Sequence, residues 1–281
     1  MGRAENVLVF QDTERLCKSI DRLKNAVKNS TSGQKLILES DSLPYTEKNL
    51  YNEAARVTVS KKRSFEAAKS YIGCKDAVHN FASATNPGGG VVNGSSAQEE
   101  CLCRCSGLYF TLNTPAMWDG FYLPHRNEHD PLHNDDIIYT PDVTVFKTDT
   151  ANPTLMSEDS WYEVDIITCA APNLREKPGN SYNSGDGSAQ AIISDEALLE
   201  LHKNRLSRIL DVAIMNGRDT VILGAFGCGA FKNDPEVVAL AAKNVIRDYI
   251  HAFKNIEFAV YCAPHDERNF KIFERVLKEY C

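Results

Sequence analysis

Apolar positions along this chain fall into short runs separated by amphipathic stretches. Leu16, Ile20, Leu23 and Val27 recur at spacings of four, three and four, which is one face of a helix over Arg15 to Lys28. Leu36, Ile37 and Leu38, inside Gln34 to Glu39, predict a first strand. Alternation of Val57 and Val59 predicts a second over Ala55 to Ser60, and Ser64 to Ile72 reads as a short helix. From about residue 77 the pattern settles into strand and helix in turn. Ala77 to Ala82 is a short strand, a glycine loop follows, and a helix is predicted from Ser96 to Tyr109. Asp136 to Phe146 reads as a strand pair or an extended segment, and Val164 to Ala170 as a buried strand. Asp195 to Asn216 is a long helix with Leu206, Ile209, Leu210 and Ala213 on one face. Thr220 to Gly224 is a strand leading through a second glycine loop into a helix at Asp234-Pro235. Ile256 to Cys262 and Glu267 to Tyr280 close the chain as strand and helix.

Strands alternating with helices argue an α/β fold whose parallel or mixed sheet is covered on both faces. In such sheets ligands bind beyond the carboxyl ends of the strands, and both glycine loops fall at such ends. The polar stretches Pro124 to Asp135 and Pro178 to Ser188 read as mobile loops. The length of 281 residues fits one large domain with an N-terminal extension.

Composition adds mainly exclusions. Hydrophobic residues make up 43% and charged residues 25%, as in an ordinary globular protein. The net charge of −7 gives no general affinity for nucleic acid or anionic membrane. An anionic ligand must then be held locally, by backbone N–H groups and helix N-termini. Nine cysteines, an odd number with several in apolar runs, fit reduced, buried thiols in a cytoplasmic protein. The first residues do not form a signal peptide, and no apolar run approaches the ~18 residues of a membrane span.

The first glycine loop is Asn86 to Glu100, NPGGGVVNGSSAQEE. Gly88, Gly89 and Gly90 leave a ligand unobstructed and can adopt positive φ. Ser96-Ala97-Gln98-Glu99 matches a capping box, which would start the helix at Ser96 and put Gln98, Glu99 and Glu100 in its first turn. Spacing alone leaves two readings open: acids favoured by the helix dipole, or acids aimed at a ligand. Adjacent helical residues point about 100° apart, so only one glutamate aims straight at a given atom. The second loop, Gly224 to Pro235, runs strand, glycine turn and helix, with Asp234 as N-cap and Pro235 in the first turn. That is a diphosphate cradle or a tight turn packed with small residues. It lacks the Gly-Lys-Ser/Thr of a Walker loop, and Gly227-Cys228-Gly229-Ala230-Phe231-Lys232 lacks the last glycine of a dinucleotide fingerprint. A dinucleotide-dependent oxidoreductase is thereby disfavoured.

These motifs, taken in order, resemble the bacterial-type poly(ADP-ribose) glycohydrolases. Gly88-Gly89-Gly90 is followed, after seven residues, by Gln98-Glu99-Glu100. Asn80-Phe81-Ala82, Asn86-Pro87, Ile138 to Val143, and Ile166 to Asn173 are also similar to that family, over most of residues 50–281. The resemblance implies a three-layer α/β/α macrodomain with a mixed central sheet and an N-terminal, largely helical extension. Residues 1–50 would be that extension, packed on a catalytic domain of residues 51–281. It implies hydrolysis of ribose–ribose bonds in poly(ADP-ribose), releasing ADP-ribose, with Glu100 as the catalytic residue. Glu99 would bond ribose hydroxyls, and Gln98 would line the substrate site. Gly88 to Gly90 would lie on the diphosphate and ribose, as would Gly227, Cys228, Gly229 and Ala230. Phe231 would pack on the terminal ribose, whereas Phe226 reads as core. The animal members carry an asparagine where this chain has Ser83, which leaves that ribose contact to Asn86 or unmade.

The chemistry implied breaks a glycosidic bond through an oxocarbenium-like state and requires a proton at the leaving oxygen. Burial beside Glu99 and the diphosphate would raise the Glu100 pKa so that it carries that proton. No metal or redox cofactor is required. Cys101, Cys103 and Cys105 have no C-x-x-C spacing and read as packed thiols. His125, His129 and His133 recur every four residues, but Pro124 and Pro131 interrupt a helical metal face, so they read as a solvated loop. Asp135 and Asp136 read as surface charges and Asp142 as a turn residue. Two other functions use the same pocket: removal of single ADP-ribose units from ADP-ribosylated protein, and non-catalytic reading of an ADP-ribose-type nucleotide. An intact Gln98-Glu99-Glu100 argues against the reader.

Overall fold

The computed structural model describes residues 2–179, 185–263 and 266–281. In chain order it opens with helices α1 (Arg3–Ser19) and α2 (Asp21–Ser32), then strands β1 (Lys35–Ile37) and β2 (Arg56–Ser60). Helix α3 (Ser64–Ala68) leads to β3 (Asp76–Ala82), and α4 (Gln98–Cys105) to a run of short turns, α5 (Leu108–Leu112), α6 (Pro115–Met117) and α7 (Leu123–Glu128). Then come β4 (Ile137–Val145), β5 (Tyr162–Ala170), α8 (Asp195–Met215), β6 (Thr220–Leu223), α9 (Pro235–Tyr249), β7 (Asn255–Ala259) and α10 (Arg268–Val276).

The strands form one seven-stranded sheet in the order β1-β4-β5-β3-β6-β7-β2. β5, β3, β6, β7 and β2 run parallel, and β4 and β1 complete one side antiparallel. The sheet is therefore mixed, as expected. Alternation along each strand sorts side chains into two cores. Ala77, Ile167, Cys169, Val221 and Leu223 face the side covered by α8, α9 and α10. Val78, Val164, Ile166 and Ile222 face the other side with Phe65, Leu102, Leu108 and Phe121. Helices thus cover both faces of the sheet, in three layers.

Several boundaries differ from the sequence reading, each for a local reason. The helix expected over Arg15 to Lys28 is two helices, broken where Ile20 is extended (φ −98°, ψ 116°). Leu16, Ile20, Leu23 and Val27 still converge, around Phe146 and Trp161. The helix expected from Ser96 to Tyr109 ends at Cys105, because the Cys105 carbonyl accepts from Phe146 N and Lys147 N. Asp136 to Phe146 holds a single strand whose register against β5 shifts between Thr140 and Val143. Asp142 supplies the turn there at φ 52°, so that Ile137 and Tyr139 face one core while Val143 and Val145 face the other.

Pro124 to Asp135 is solvated only in part: residues 127–130, His129 among them, are exposed. It holds part of α7, and both His125 and His133 are buried. The His125 ring bonds the Phe121 carbonyl and Asn134 Oδ1, each at 2.8 Å. Burial drives His133 down to about 3. Asp135 and Asp136 are not free surface charges either. Asp135 pairs at 2.6 Å with the buried Arg205, which also donates to the Ala170 carbonyl at the end of β5. Asp136 is buried and accepts from Glu39 N at 2.6 Å. Residues 180–184 of the other polar stretch lie outside the described residues.

Candidate active site

The carboxyl ends of the five parallel strands carry the loops that line a cavity of about 690 Å³. The loop after β3 delivers the two glutamates. Helix α4 begins at Gln98, with Ala97 as an N-cap that makes no side-chain bond, so the expected capping box is not formed. Glu99 is instead drawn inward by two donors on β3 and its loop. Its Oε1 accepts from Asn80 Nδ2 at 3.2 Å and its Oε2 from Ser83 N at 2.8 Å. Gln98 sits at the cavity wall, but its amide is committed to protein. It accepts from Phe81 N at 2.9 Å and donates to the His79 carbonyl at 2.8 Å and Ser64 Oγ at 3.0 Å. These bonds lock the first turn of α4 onto β3.

Glu100 is 7% exposed, and its two oxygens differ. Oε1 accepts from Gly90 N at 2.9 Å, whereas Oε2 is buried without a hydrogen-bond partner. Burial raises both carboxyls: Glu99 is pushed up to about 8 by desolvation, with the neighbouring charge of Glu100 adding to it. Glu100 is also raised, by desolvation first, against the pull of Gly90 N. Two buried carboxyls this close titrate as a pair, and burial favours the form of the pair that holds a proton. Geometry points to the unpartnered Oε2 as the place for it.

Gly89 has to be glycine. Its φ is +57°, and a Cβ there would lie 2.7 Å from Glu100 Oε1 and 3.1 Å from Glu99 Oε2. Gly89 and Gly90 line the cavity; Gly88 is not among its lining residues. A Cβ on Gly88, at φ +65°, would strike the Tyr109 ring at 2.7 Å, so this glycine lets the turn pack on the helices behind it. Of the three glycines, two therefore line the cavity.

The loop after β6 forms the opposite wall. Gly227, Gly229, Ala230 and Phe231 line the same cavity, but Cys228 does not; its Sγ turns toward the Phe226 carbonyl at 3.6 Å. Phe226 is buried against His79, Phe81 and His202, as a core residue should be. Asn233 holds the turn from beneath. Its Nδ2 donates to the Pro172 carbonyl at 2.7 Å and the Gly227 carbonyl at 3.2 Å, and its Oδ1 meets His202 Nε2 at 2.7 Å. Asp234 caps α9 through Glu236 N at 2.7 Å, as predicted. The two glycine loops therefore share one cavity.

Asn86 lies at the edge of this space, and its orientation is set by a residue sequence reasoning missed. Arg126 donates from Nε to the Thr85 carbonyl at 2.6 Å and from Nη2 to Asn86 Oδ1. That contact orients the Asn86 amide with its oxygen toward Arg126. Asn233 was likewise missed, as were the roles of Asn80 and Ser83 as donors to Glu99. Only the adjacency of Asn233 to the Asp-Pro helix start signals its place; Arg126, over a hundred residues from Asn233, carries no sequence signal. Among the described residues no cluster of His, Cys, Asp and Glu could hold a metal ion.

A carboxyl pair that retains a proton is suited to opening a glycosidic bond, and here it faces a turn rich in backbone N–H groups. The macrodomain-like fold and this site together define a glycosidase. Residues 7–148 match the family model described as "Microbial-type PARG, catalytic domain", and the chain belongs to that family. Solved structures agree. The poly(ADP-ribose) glycohydrolase of Thermomonospora curvata is 28% identical, with a TM-score of 0.83, over 97% of this chain and 99% of that one. Its complex with the inhibitor ADP-HPD gives 28%, 0.79, 96% and 98%. The Deinococcus radiodurans poly(ADP-ribose) glycohydrolase in complex with ADP-ribose gives 30%, 0.73, 91% and 98%. No curated protein matches the chain in sequence. Among the described residues no helix is long and apolar enough to cross a membrane.

Proposed function

We propose that this enzyme cleaves the ribose–ribose bond of poly(ADP-ribose) with Glu100 as general acid and then general base, and that it acts in the cytoplasm. The observation that carries the assignment is the contrast between the two glutamates. Both Glu99 oxygens accept from protein N–H donors, which fixes the side chain and makes it a poor nucleophile. Of the two glutamates, only Glu100 has a buried oxygen without a hydrogen-bond partner, free to hold and pass a proton.

The diphosphate of the bound unit lies along Gly227, Gly229, Ala230 and the Gly89–Gly90 turn, where backbone N–H groups meet it. Phe231 packs against the terminal ribose. Asn86 Nδ2 donates to the ligand, and the lone pairs left on Glu99 accept from ribose hydroxyls. Glu100 Oε2–H gives its proton to the bridging oxygen as the bond from the anomeric carbon breaks. The electron pair leaves with that oxygen, which departs as the hydroxyl of the neighbouring ribose. The bound diphosphate stabilises the cationic ribose. A water then attacks the anomeric carbon and yields its proton to Glu100, which restores the acid and releases ADP-ribose.

Incubation with defined polymer and with mono-ADP-ribosylated protein tests the substrate. Release of ADP-ribose from polymer is the expected result; turnover of the single-unit conjugate alone would reassign the enzyme. Tight ADP-ribose binding without any turnover would make the protein a reader.

A further inference from the structure

We propose that Arg3 forms a second phosphate subsite in the same cavity, one that receives the diphosphate of the ADP-ribosyl unit being displaced. This rests on the polymer-cleaving reading above. Every glycosidic bond of such a polymer has a diphosphate on each side. The turn after β6 accommodates one; the chemistry requires that the other travel with the leaving ribose, past Glu100 and away from Phe231.

Helix α1 reaches that side of the cavity. Asn6 Nδ2, buried, donates to the Gly94 carbonyl at 3.0 Å. Gly94 itself packs so tightly on the start of α1 that a Cβ there would lie 2.2 Å from the Arg3 carbonyl. The same short loop contains Gly90, whose N–H holds Glu100. Arg3, Asn6, Asn93, Ser95 and Ser96 all line the cavity. The extension is thus part of the wall next to the acid.

Three arginines line the cavity: Arg3, Arg63 and Arg175. Two are engaged. Arg175 bonds Asn173 Oδ1 at 3.0 Å and lies over the Phe231 ring. Arg63 lies 3.9 Å from the Tyr261 ring centre and donates to Cys101 Sγ at 3.2 Å. Arg3 is exposed, and its guanidinium makes no hydrogen bond or ion pair to the described residues. Glu5, the acid of the same helical turn, is turned to Gly2 N at 2.8 Å. On a chain of net charge −7, an uncommitted guanidinium beside an active site is a local attractor for an anion. Its planar fork matches two phosphate oxygens.

The test compares wild type with Arg3→Ala and Arg3→Lys on two substrates. One is poly(ADP-ribose); the other is an ADP-ribosyl nitrophenyl glycoside, whose leaving group carries no phosphate. Arg3→Ala should raise the KM for polymer by about tenfold, the scale of a lost charge-assisted hydrogen bond, and this difference should shrink as salt is added. Arg3→Lys should recover part of it. Both constants for the nitrophenyl glycoside should stay within about twofold, well under the tenfold that ~1.4 kcal/mol represents. Equal losses on both substrates, or no loss on polymer, would overturn the subsite. If wild type itself leaves polymer intact, the polymer-cleaving reading fails and the subsite with it; if only Arg3→Ala matches wild type, the subsite alone falls.

Discussion

Replacing Glu100 by glutamine isolates the proton from the geometry. The amide oxygen can still accept from Gly90 N, as Glu100 Oε1 does at 2.9 Å. The amide nitrogen takes the place of Oε2, which has no hydrogen-bond partner to lose. The shape of the cavity and its hydrogen bonds to protein are therefore kept, and one transferable proton is removed. General acid–base catalysis is worth about 10²–10⁴ in rate, or roughly 3–5 kcal/mol of barrier. Turnover of polymer, followed as released ADP-ribose by chromatography, should fall by that factor at saturating substrate. Affinity for ADP-ribose, measured by calorimetry, should change by no more than about threefold, under ~1 kcal/mol. Loss of the neighbouring charge should also let the Glu99 pKa fall, since Glu100 contributes to raising it. Turnover within tenfold of wild type would refute Glu100 as the acid. Equal collapse of turnover and ADP-ribose binding would show that the side chain holds the ligand instead.

Four further outcomes follow from the same geometry. Burial raises both carboxyls of the Glu99–Glu100 pair, Glu99 to about 8, so above the ordinary carboxylate range the unfolded chain gives up a proton that the folded pair keeps, and stability falls as pH rises. The thermal midpoint of Glu99→Gln should fall less than that of wild type from pH 4.5 to 8, and parallel curves would contradict the burial of this pair. Gly89→Ala forces φ +57° on an L residue and drives a Cβ toward Glu100, so activity should be lost with about 1–2 kcal/mol of stability, read by denaturant unfolding; an active, equally stable variant would mean the turn is not held as described. Asn233→Ala leaves His202 and two carbonyls without their partner, which should cost about 2–4 kcal/mol and weaken ADP-ribose binding; a neutral result would show that the turn holds itself. Arg126→Ala frees Asn86 Oδ1 and should raise the ADP-ribose Kd several-fold, on the order of 1 kcal/mol, with the fold intact; unchanged affinity would remove Asn86 from the ligand contacts.

What the chain determines by itself is local. Apolar alternation and helical spacing predict where strands β2, β3, β5 and β6 and helices α8 and α9 lie, because each pattern is a response to burial on one or both faces. Triple glycine before Gln-Glu-Glu, and glycine turn before Asp-Pro, mark the two loops, because backbone conformation and helix caps are set by neighbouring residues. Tertiary structure decides the rest. Which glutamate keeps a free oxygen depends on Asn80 and Ser83, donors that claim Glu99 only once α4 packs on β3. The capping box was legible but not formed, since those inward donors displace the local bond. His125, His133, Asp135 and Asp136 look solvated in one dimension; the His125 ring is held by the nearby Phe121 and Asn134, while Phe231, Arg205 and Glu39, brought from other segments, lie against His133 or pair with the aspartates. Short-range patterns report the energy of a segment; burial, and the pKa that follows from it, belongs to whatever distant chain comes to lie against it.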